Sequence, residues 1–259
     1  VRVVGHRGAS AEHPEHTLAA YERALELGAD GLETDVRLTA DGHLVCVHDR
    51  TVQRTSDGVG VVSALELADL ERLDFAARRR EWDVFDEEVA ERTRTGIVTL
   101  EALLGLIQDH ARPVELAIEA KHPTRYGGLV ERRIVETLER FGLAHPPPGG
   151  GGPVRVMSFA PSSLRRVRRL APTLPTVLLL DRVPHRQQDG RLPPGVRIAG
   201  PGIALLRAEP ALVARWRRRG HEVHVWTVNT TADLDLCRRL GVSLVISDRP
   251  GELLRALGR

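Results

Sequence analysis

Leu32-Glu33-Thr34-Asp35-Val36-Arg37-Leu38-Thr39-Ala40-Asp41-Gly42-His43-Leu44-Val45-Cys46-Val47-His48-Asp49 is the stretch that decides the fold. It holds two strand-like runs, Leu32–Leu38 and Leu44–His48, joined only by Thr39 to His43. A parallel crossover needs about a dozen residues, so this connection is a hairpin, and Asp41-Gly42 is a good hairpin turn. Folding back brings His48 toward Glu33 and Asp35. The other strand-like runs are Arg2–Gly5, Val114–Glu119, Val154–Ser158, Thr176–Leu180, Arg197–Gly200, Val223–Val228 and Leu244–Ser247. Helical segments lie between them: Thr17–Leu27, Leu100–Asp109, Leu129–Phe141, Ser162–Leu170, Pro210–Arg219, Ala232–Leu240 and Gly251–Leu257. Such alternation implies a parallel sheet with outer helices. Once the hairpin's second arm is set aside, eight runs remain. With 259 residues, near the roughly 250 typical of the class, they predict an α/β fold, a TIM (β/α)8 barrel.

Two segments interrupt the alternation. Residues 50–96 are polar and charged, with Asp57-Gly58-Val59-Gly60 and Glu81-Trp82-Asp83. They predict a small inserted subdomain over the mouth of a single barrel spanning residues 1–259. Pro146 to Pro153, rich in proline and glycine, reads as a surface connection. No Gly-Lys-Ser/Thr follows its glycines, which argues against a phosphate loop.

Composition narrows the class. Hydrophobic content of 42% suffices for a large core, and the net charge of +2 gives no bulk field for nucleic acid. The arginine runs 78–80 and 217–219 read as solvated surface. Cys46 and Cys237 make no disulfide framework and read as small core residues. No run approaches the ~20 apolar residues of a membrane span, and Val1 opens straight into a strand, so the cytoplasm is the expected compartment. The oligomeric state is left open.

The strand ends carry the chemistry. Glu33 and Asp35 are two apart on a strand and share one face, which at the carboxyl end of a barrel strand meets the mouth. Adjacent carboxylates repel unless protonated or bridged by a cation. Glu119, ending another strand, supplies a third oxygen, and an all-carboxylate set points to Mg²⁺ or Ca²⁺ at about 2.0–2.6 Å rather than to zinc. His6 and His48 end separate strands beside these carboxylates and suit acid–base work. Arg7 can grip a phosphate through paired hydrogen bonds. Among the 37 lysines and arginines Lys121 is the single lysine, and it lies two residues from Glu119. Lysine is a compact point charge and arginine a planar fork, so the two cannot always be exchanged. Two histidines, clustered carboxylates and fixed cations suit cleavage of a phosphate ester.

Several motifs in order resemble the glycerophosphodiester phosphodiesterases. They are Gly5-His6-Arg7-Gly8-Ala9, Pro14-Glu15-His16-Thr17, Leu32-Glu33-Thr34-Asp35-Val36, Leu38-Thr39-Ala40-Asp41-Gly42, Val47-His48-Asp49, Ile118-Glu119-Ala120-Lys121 and Val225-Trp226-Thr227-Val228-Asn229. Thr55 to Gly58 resembles the start of that family's inserted subdomain, and Ser247-Asp248-Arg249-Pro250 its closing strand. The resemblance implies a TIM barrel that hydrolyses a small-molecule glycerophosphodiester to glycerol 3-phosphate and an alcohol. It assigns His6 and His48 to general acid–base work and Glu33, Asp35 and Glu119 to a divalent metal. It gives Arg7 and Lys121 to the phosphate and Trp226 to the glycerol wall; from its apolar strand alone, Trp226 would be core. His16 departs from the asparagine usual in the family; it could alter the rim or the substrate's alcohol group, or be only a helix-start residue ahead of Thr17, a plausible N-cap.

Two rivals differ in class. A lipid phosphodiesterase of the sphingomyelinase D type shares the early motifs, but aromatics of only 3% argue against the apolar rim a lipid needs. A non-catalytic phospho-ligand-binding barrel could dispense with proton-transfer groups, yet His6 and His48 are both present.

Overall fold

The computed structural model describes residues 1–77, 95–122, 127–147 and 152–259. Eight parallel strands close into a barrel: β1 (Arg2–His6), β2 (Gly31–Leu38), β4 (Glu115–Ala120), β5 (Val154–Ser158), β6 (Thr176–Leu180), β7 (Ile198–Pro201), β8 (Glu222–Val225) and β9 (Leu244–Ser247). Closure comes from β1, which pairs with β9 on one side and β2 on the other. The predicted hairpin is present. β3 (Leu44–Cys46) lies antiparallel on β2, with Leu38 opposite Leu44 and Val36 opposite Cys46. The strand ends at Cys46, but the pairing runs one residue further: Val47, opposite Asp35 in the register, donates its N–H to the Asp35 carbonyl at 2.9 Å.

The outer layer is α1 (Leu18–Glu26), α2 (Leu67–Glu71), α3 (Leu100–Gln108), α4 (Leu129–Arg140), α5 (Pro161–Leu170), α6 (Ile203–Ala208), α7 (Ala211–Arg218), α8 (Thr231–Leu240) and α9 (Pro250–Ala256). Thr17 caps α1 as expected, its hydroxyl accepting from the Ala20 N–H, and Thr99 and Thr230 cap α3 and α8 in the same way. The six-residue α6 was not legible, because Ile203 to Ala208 is too short for a helical period to stand out.

Side-chain alternation along the strands divides the barrel into levels. Outward residues such as Val3, Leu32, Val36, Leu116, Ile118, Val223 and Val245 pack against the helices. Inward residues Val4, Ala117, Met157, Val177, Leu179, Ile198, Leu244 and Ile246 form an apolar plug. Beneath it Arg2, Glu115, Arg155, Glu222 and His224 make an ionic floor, in which Arg2 and Arg155 both reach Glu115 and Arg2 also reaches Glu222. Above it, the same inward columns end in the polar mouth. Cys46 and Cys237 are buried free thiols, and Arg217 to Arg219 are exposed, as expected. No described helix is long and apolar enough to cross a membrane. Arg78 to Arg80, Glu81-Trp82-Asp83 and residues 148–151 lie outside the described residues.

His224 gives the floor a pH signature. It is 1% exposed, its Nδ1 has no partner among the described residues, and burial pushes its pKa down to about 4 despite the Glu222 carboxylate. The unfolded chain protonates near 6.5. Between those values the unfolded state binds a proton that the folded state refuses, so stability falls as pH drops from about 6.5 to about 4. The full difference is on the order of 3 kcal/mol. His224→Asn should flatten the decline of melting temperature across that window, measured by thermal melts at half-unit pH steps.

Candidate active site

The mouth begins with β1. Arg7 follows it at φ 56°, in the left-handed region, and its N–H donates both to the Glu33 carbonyl and to Glu33 Oε2, each at 3.1 Å. Gly8 comes next at φ 86°, where a Cβ would stand 2.4 Å from the Ala20 carbonyl carbon. Only glycine lets the chain pass so close to α1. This turn aims the Arg7 guanidinium inward: one terminal nitrogen donates to Glu15 Oε1 at 3.0 Å. Its Nε lies 3.0 Å from Asp35 Oδ2 but is not aligned for a hydrogen bond, so that attraction is ionic.

Glu33, Asp35 and Glu119 sit on the inward faces of β2 and β4, and each offers a carboxylate oxygen within 4.8 Å of the others. All three are buried. Burial, reinforced by the charge of Asp35, pushes Glu33 well above the carboxylate range and Glu119 up to about 7. Burial acts on Asp35 in the same direction but loses to the His16 hydrogen bond and to the charges of Lys121 and Arg7, so Asp35 stays ionised. Lys121 Nζ lies 3.0 Å from Glu119 Oε1 and 3.3 Å from Asp35 Oδ1, bridging the two. Oxygen-only donors that cannot all ionise side by side fit a hard divalent cation.

Both histidines are held from behind. His6 Nδ1 is 2.6 Å from Asp248 Oδ1, and Asp248 accepts further from Ser10 at 2.9 Å and Asn229 at 2.6 Å. Burial would raise Asp248, but these hydrogen bonds hold it well below the carboxylate range. His48 Nδ1 is 2.7 Å from Asp49 Oδ1, and the His48 carbonyl accepts from Arg37 Nε and Nη2 at 2.9 and 2.7 Å. Burial lowers His48, against the opposing charge of Asp35. A carboxylate only accepts, so each Nδ1 carries the proton on its bond and Nε2 is left for chemistry. His6 Nε2 lies 3.9 Å from Glu33 Oε2.

A cavity of about 220 Å³ joins these groups. It is lined by His6, Arg7, Glu33, His48, Glu119, Lys121, Met157, Phe159, Leu179, Trp226, Thr227 and Ile246. Seven of the eight residues singled out from sequence line it; the eighth, Asp35, sits immediately behind, against Lys121 and Arg7. Trp226 donates from Nε1 to the Gly200 carbonyl at 2.8 Å and meets Phe159 edge-on, ring centres 5.5 Å apart. It lines the cavity as well as covering the barrel core.

The supporting residues were missed. Asp248 and Phe159 continue the inward columns of β9 and β5, and Arg37 that of β2, so strand parity could have found them. Arg54 had no sequence signal. It pins Asp49 at 2.5 Å and Glu15 at 2.7 and 2.8 Å, tying residues after β3 to the β1–α1 turn. Burial would raise Glu15, but Arg54 and Arg7 bring it down to about 2.

A profile of the glycerophosphoryl diester phosphodiesterase family matches residues 6–252. The probable glycerophosphodiester phosphodiesterase 1 of Mycobacterium tuberculosis (strain ATCC 25618 / H37Rv) is 45% identical over 249 residues, covering 96% of this chain and 89% of that one. The glycerophosphodiester phosphodiesterase of Bacillus subtilis (strain 168) is 34% identical over 261 residues, covering 96% and 84%. Among solved structures, an Oleispira antarctica phosphodiesterase in complex with its product sn-glycerol-3-phosphate superposes with a TM-score of 0.81. The two are 23% identical, and the match covers 100% of this chain and 97% of that one. The chain belongs to the glycerophosphoryl diester phosphodiesterase family and is a phosphoric diester hydrolase.

Because a carboxyl group must lose its proton to ligate a cation, and Glu119 titrates at about 7, divalent-cation affinity should rise with pH through about 7. Calorimetry of chelated protein in buffers of different ionisation heats should show protons released on binding, with Glu119→Gln weakening affinity at least ~10-fold and shrinking that release.

Proposed function

We propose that this enzyme hydrolyses a glycerophosphodiester to glycerol 3-phosphate and an alcohol, with a divalent cation, Mg²⁺ or Ca²⁺, held by Glu33, Asp35 and Glu119. The observation that carries the reading is the shared cavity. Two histidines, each with Nδ1 committed to a carboxylate, line it together with the carboxylate cluster, Arg7 and Lys121. Family membership supplies the substrate class. When bound, the cation would neutralise charge on the phosphate oxygens.

The chain's own groups divide the remaining work. Arg7 and Lys121 hold the phosphate and offset its developing charge. One histidine Nε2 takes the proton of the attacking oxygen; the other, protonated, gives its proton to the departing alkoxide. The attacker is water or the substrate's neighbouring hydroxyl. Asp248 and Asp49 keep the two rings in the tautomer that leaves Nε2 free. The apolar side of the cavity, Met157, Phe159, Leu179, Trp226 and Ile246, suits the carbon skeleton of glycerol or of the leaving alcohol. A volume near 220 Å³ favours a small polar ester over a two-chain lipid.

We treat the chain as one barrel in which residues 50–96 form an inserted subdomain. Of its described residues, 50–77 and 95–96, Val52, Val62, Leu70 and Phe75 pack with Val45 and Val47 of the hairpin's second arm in a small core, and Arg54 ties that segment to the rim. We take the cytoplasm as its compartment.

The reading is tested by release of glycerol 3-phosphate from glycerophosphocholine, glycerophosphoethanolamine and glycerophosphoglycerol, with lysolipids as the contrast. Turnover of the first group is expected; turnover of lysolipids alone would contradict it. His6→Ala and His48→Ala should each fold and lose ~10²–10⁴-fold in kcat; near-normal turnover in either would remove that residue from the acid–base pair. Lys121→Arg keeps the charge but widens the head. Misplacing a group by ~1 Å can cost on the order of 10²-fold, so kcat/KM should fall strongly with little change in melting temperature.

A further inference from the structure

His16 stands where nothing in the proposed reaction needs a histidine, yet the fold goes to some trouble to keep it there. It precedes the cap of α1 in the left-handed region, at φ 62°, a conformation costing a non-glycine residue roughly 1–2 kcal/mol. Its backbone N–H is tied to the Arg7 carbonyl at 3.1 Å. The ring is 5% exposed and is not among the residues that line the cavity. The ring lies behind the cavity wall, against Asp35. Beyond starting the helix, the side chain reaches inward to a carboxylate.

Both ring nitrogens are engaged. Nε2 lies 3.0 Å from Asp35 Oδ2, and Nδ1 lies 2.8 Å from the Tyr21 hydroxyl. Tyr21 is fully buried and its hydroxyl is 2.8 Å from Thr34 Oγ1. Asp35 is ionised and can only accept, so the proton on the first bond belongs to Nε2. With the ring neutral, Nδ1 accepts from Tyr21, and Thr34 completes the chain. The relay runs from the outer face of β2, where Thr34 points, back through the wall to the inner face at Asp35. It occupies Oδ2 and leaves Oδ1 toward Lys121, at 3.3 Å. A carboxamide presents its oxygen and nitrogen at one end and cannot span Tyr21 and Asp35 from opposite edges as an imidazole does.

We propose that His16 is a positioning residue: through Tyr21 and Thr34 it fixes the rotamer of Asp35 and so presents Oδ1 to the divalent cation. The inference rests on the cation site proposed above. Outer partners of this kind typically contribute 10–100-fold in metal affinity.

The test is calorimetric titration of chelated wild-type, His16→Ala, His16→Asn and Tyr21→Phe proteins with Mg²⁺ and Ca²⁺, alongside thermal melts. His16→Ala should weaken binding 10–100-fold. Tyr21→Phe, a change of one oxygen that should leave folding intact, should weaken it by a smaller factor, and His16→Asn should fall between wild type and alanine. At saturating cation, activity should return toward wild type in each. In an Asp35→Asn background His16→Ala should cost no further affinity, because the carboxylate it holds is gone. Unchanged cation affinity in both His16→Ala and Tyr21→Phe, with only melting temperature lowered, would overturn the inference and leave the cation site standing. Absence of divalent binding by the wild type would overturn both.

Discussion

Mutual repulsion among three buried carboxylates is the constraint around which this molecule is arranged. Glu33, Asp35 and Glu119 approach within 4.8 Å in a buried place where solvent screens them poorly. Left alone they would protonate, as the upward displacement of Glu33 and Glu119 records. The fold answers with two cations and a backbone donor. Lys121 bridges Glu119 and Asp35, Arg7 reaches across from the β1 turn, and the Arg7 backbone N–H donates to Glu33. These groups lower the charge without removing the oxygens, so the cluster keeps its capacity to take up a divalent ion.

The barrel makes such concentration of charge tolerable. Its inward columns change character with height: ionic at the floor, apolar through the plug, ionic again at the mouth. The plug separates two networks that would otherwise share a channel of polar side chains. On β8 the three levels are one column, with Glu222 and His224 below and Trp226 above. Each catalytic candidate is then braced by a partner from a neighbouring strand or turn: His6 by Asp248 of the β9 end, His48 by Asp49 and by the Arg37 guanidinium of β2. Arg54 closes the ring by joining Asp49 to Glu15. Holding side chains by partners on separate rigid elements is what fixes a site to the tolerance that catalysis requires.

The parts of this arrangement set by local rules were readable in advance. The Thr39 to His43 connection was too short for anything but a hairpin, which left eight strands, and period-two alternation put Glu33 beside Asp35. The strand ends offered the histidines, Arg7 and Lys121, and the ordered motifs added a pocket role for Trp226. What escaped reading depended on partners distant in sequence. Asp248 and His6 are separated by nearly the whole chain and meet only because β9 closes against β1. Arg54 lies in a segment without periodicity, and its value comes from the two carboxylates it finds. His16 was visible as a departure from the family, but its direction was not, since a left-handed backbone turns the side chain inward where a helix-start residue would face solvent.

The account stands on a cation seated among Glu33, Asp35 and Glu119, and that is directly observable. Crystals grown with Mn²⁺ in place of the native ion, measured at a wavelength where manganese scatters anomalously, would locate it. One anomalous peak within about 2.0–2.6 Å of an oxygen of each carboxylate, with Lys121 Nζ withdrawn from between Asp35 and Glu119, is the result expected. A mouth without a peak, or a peak bound elsewhere while Lys121 keeps its bridge, would contradict it.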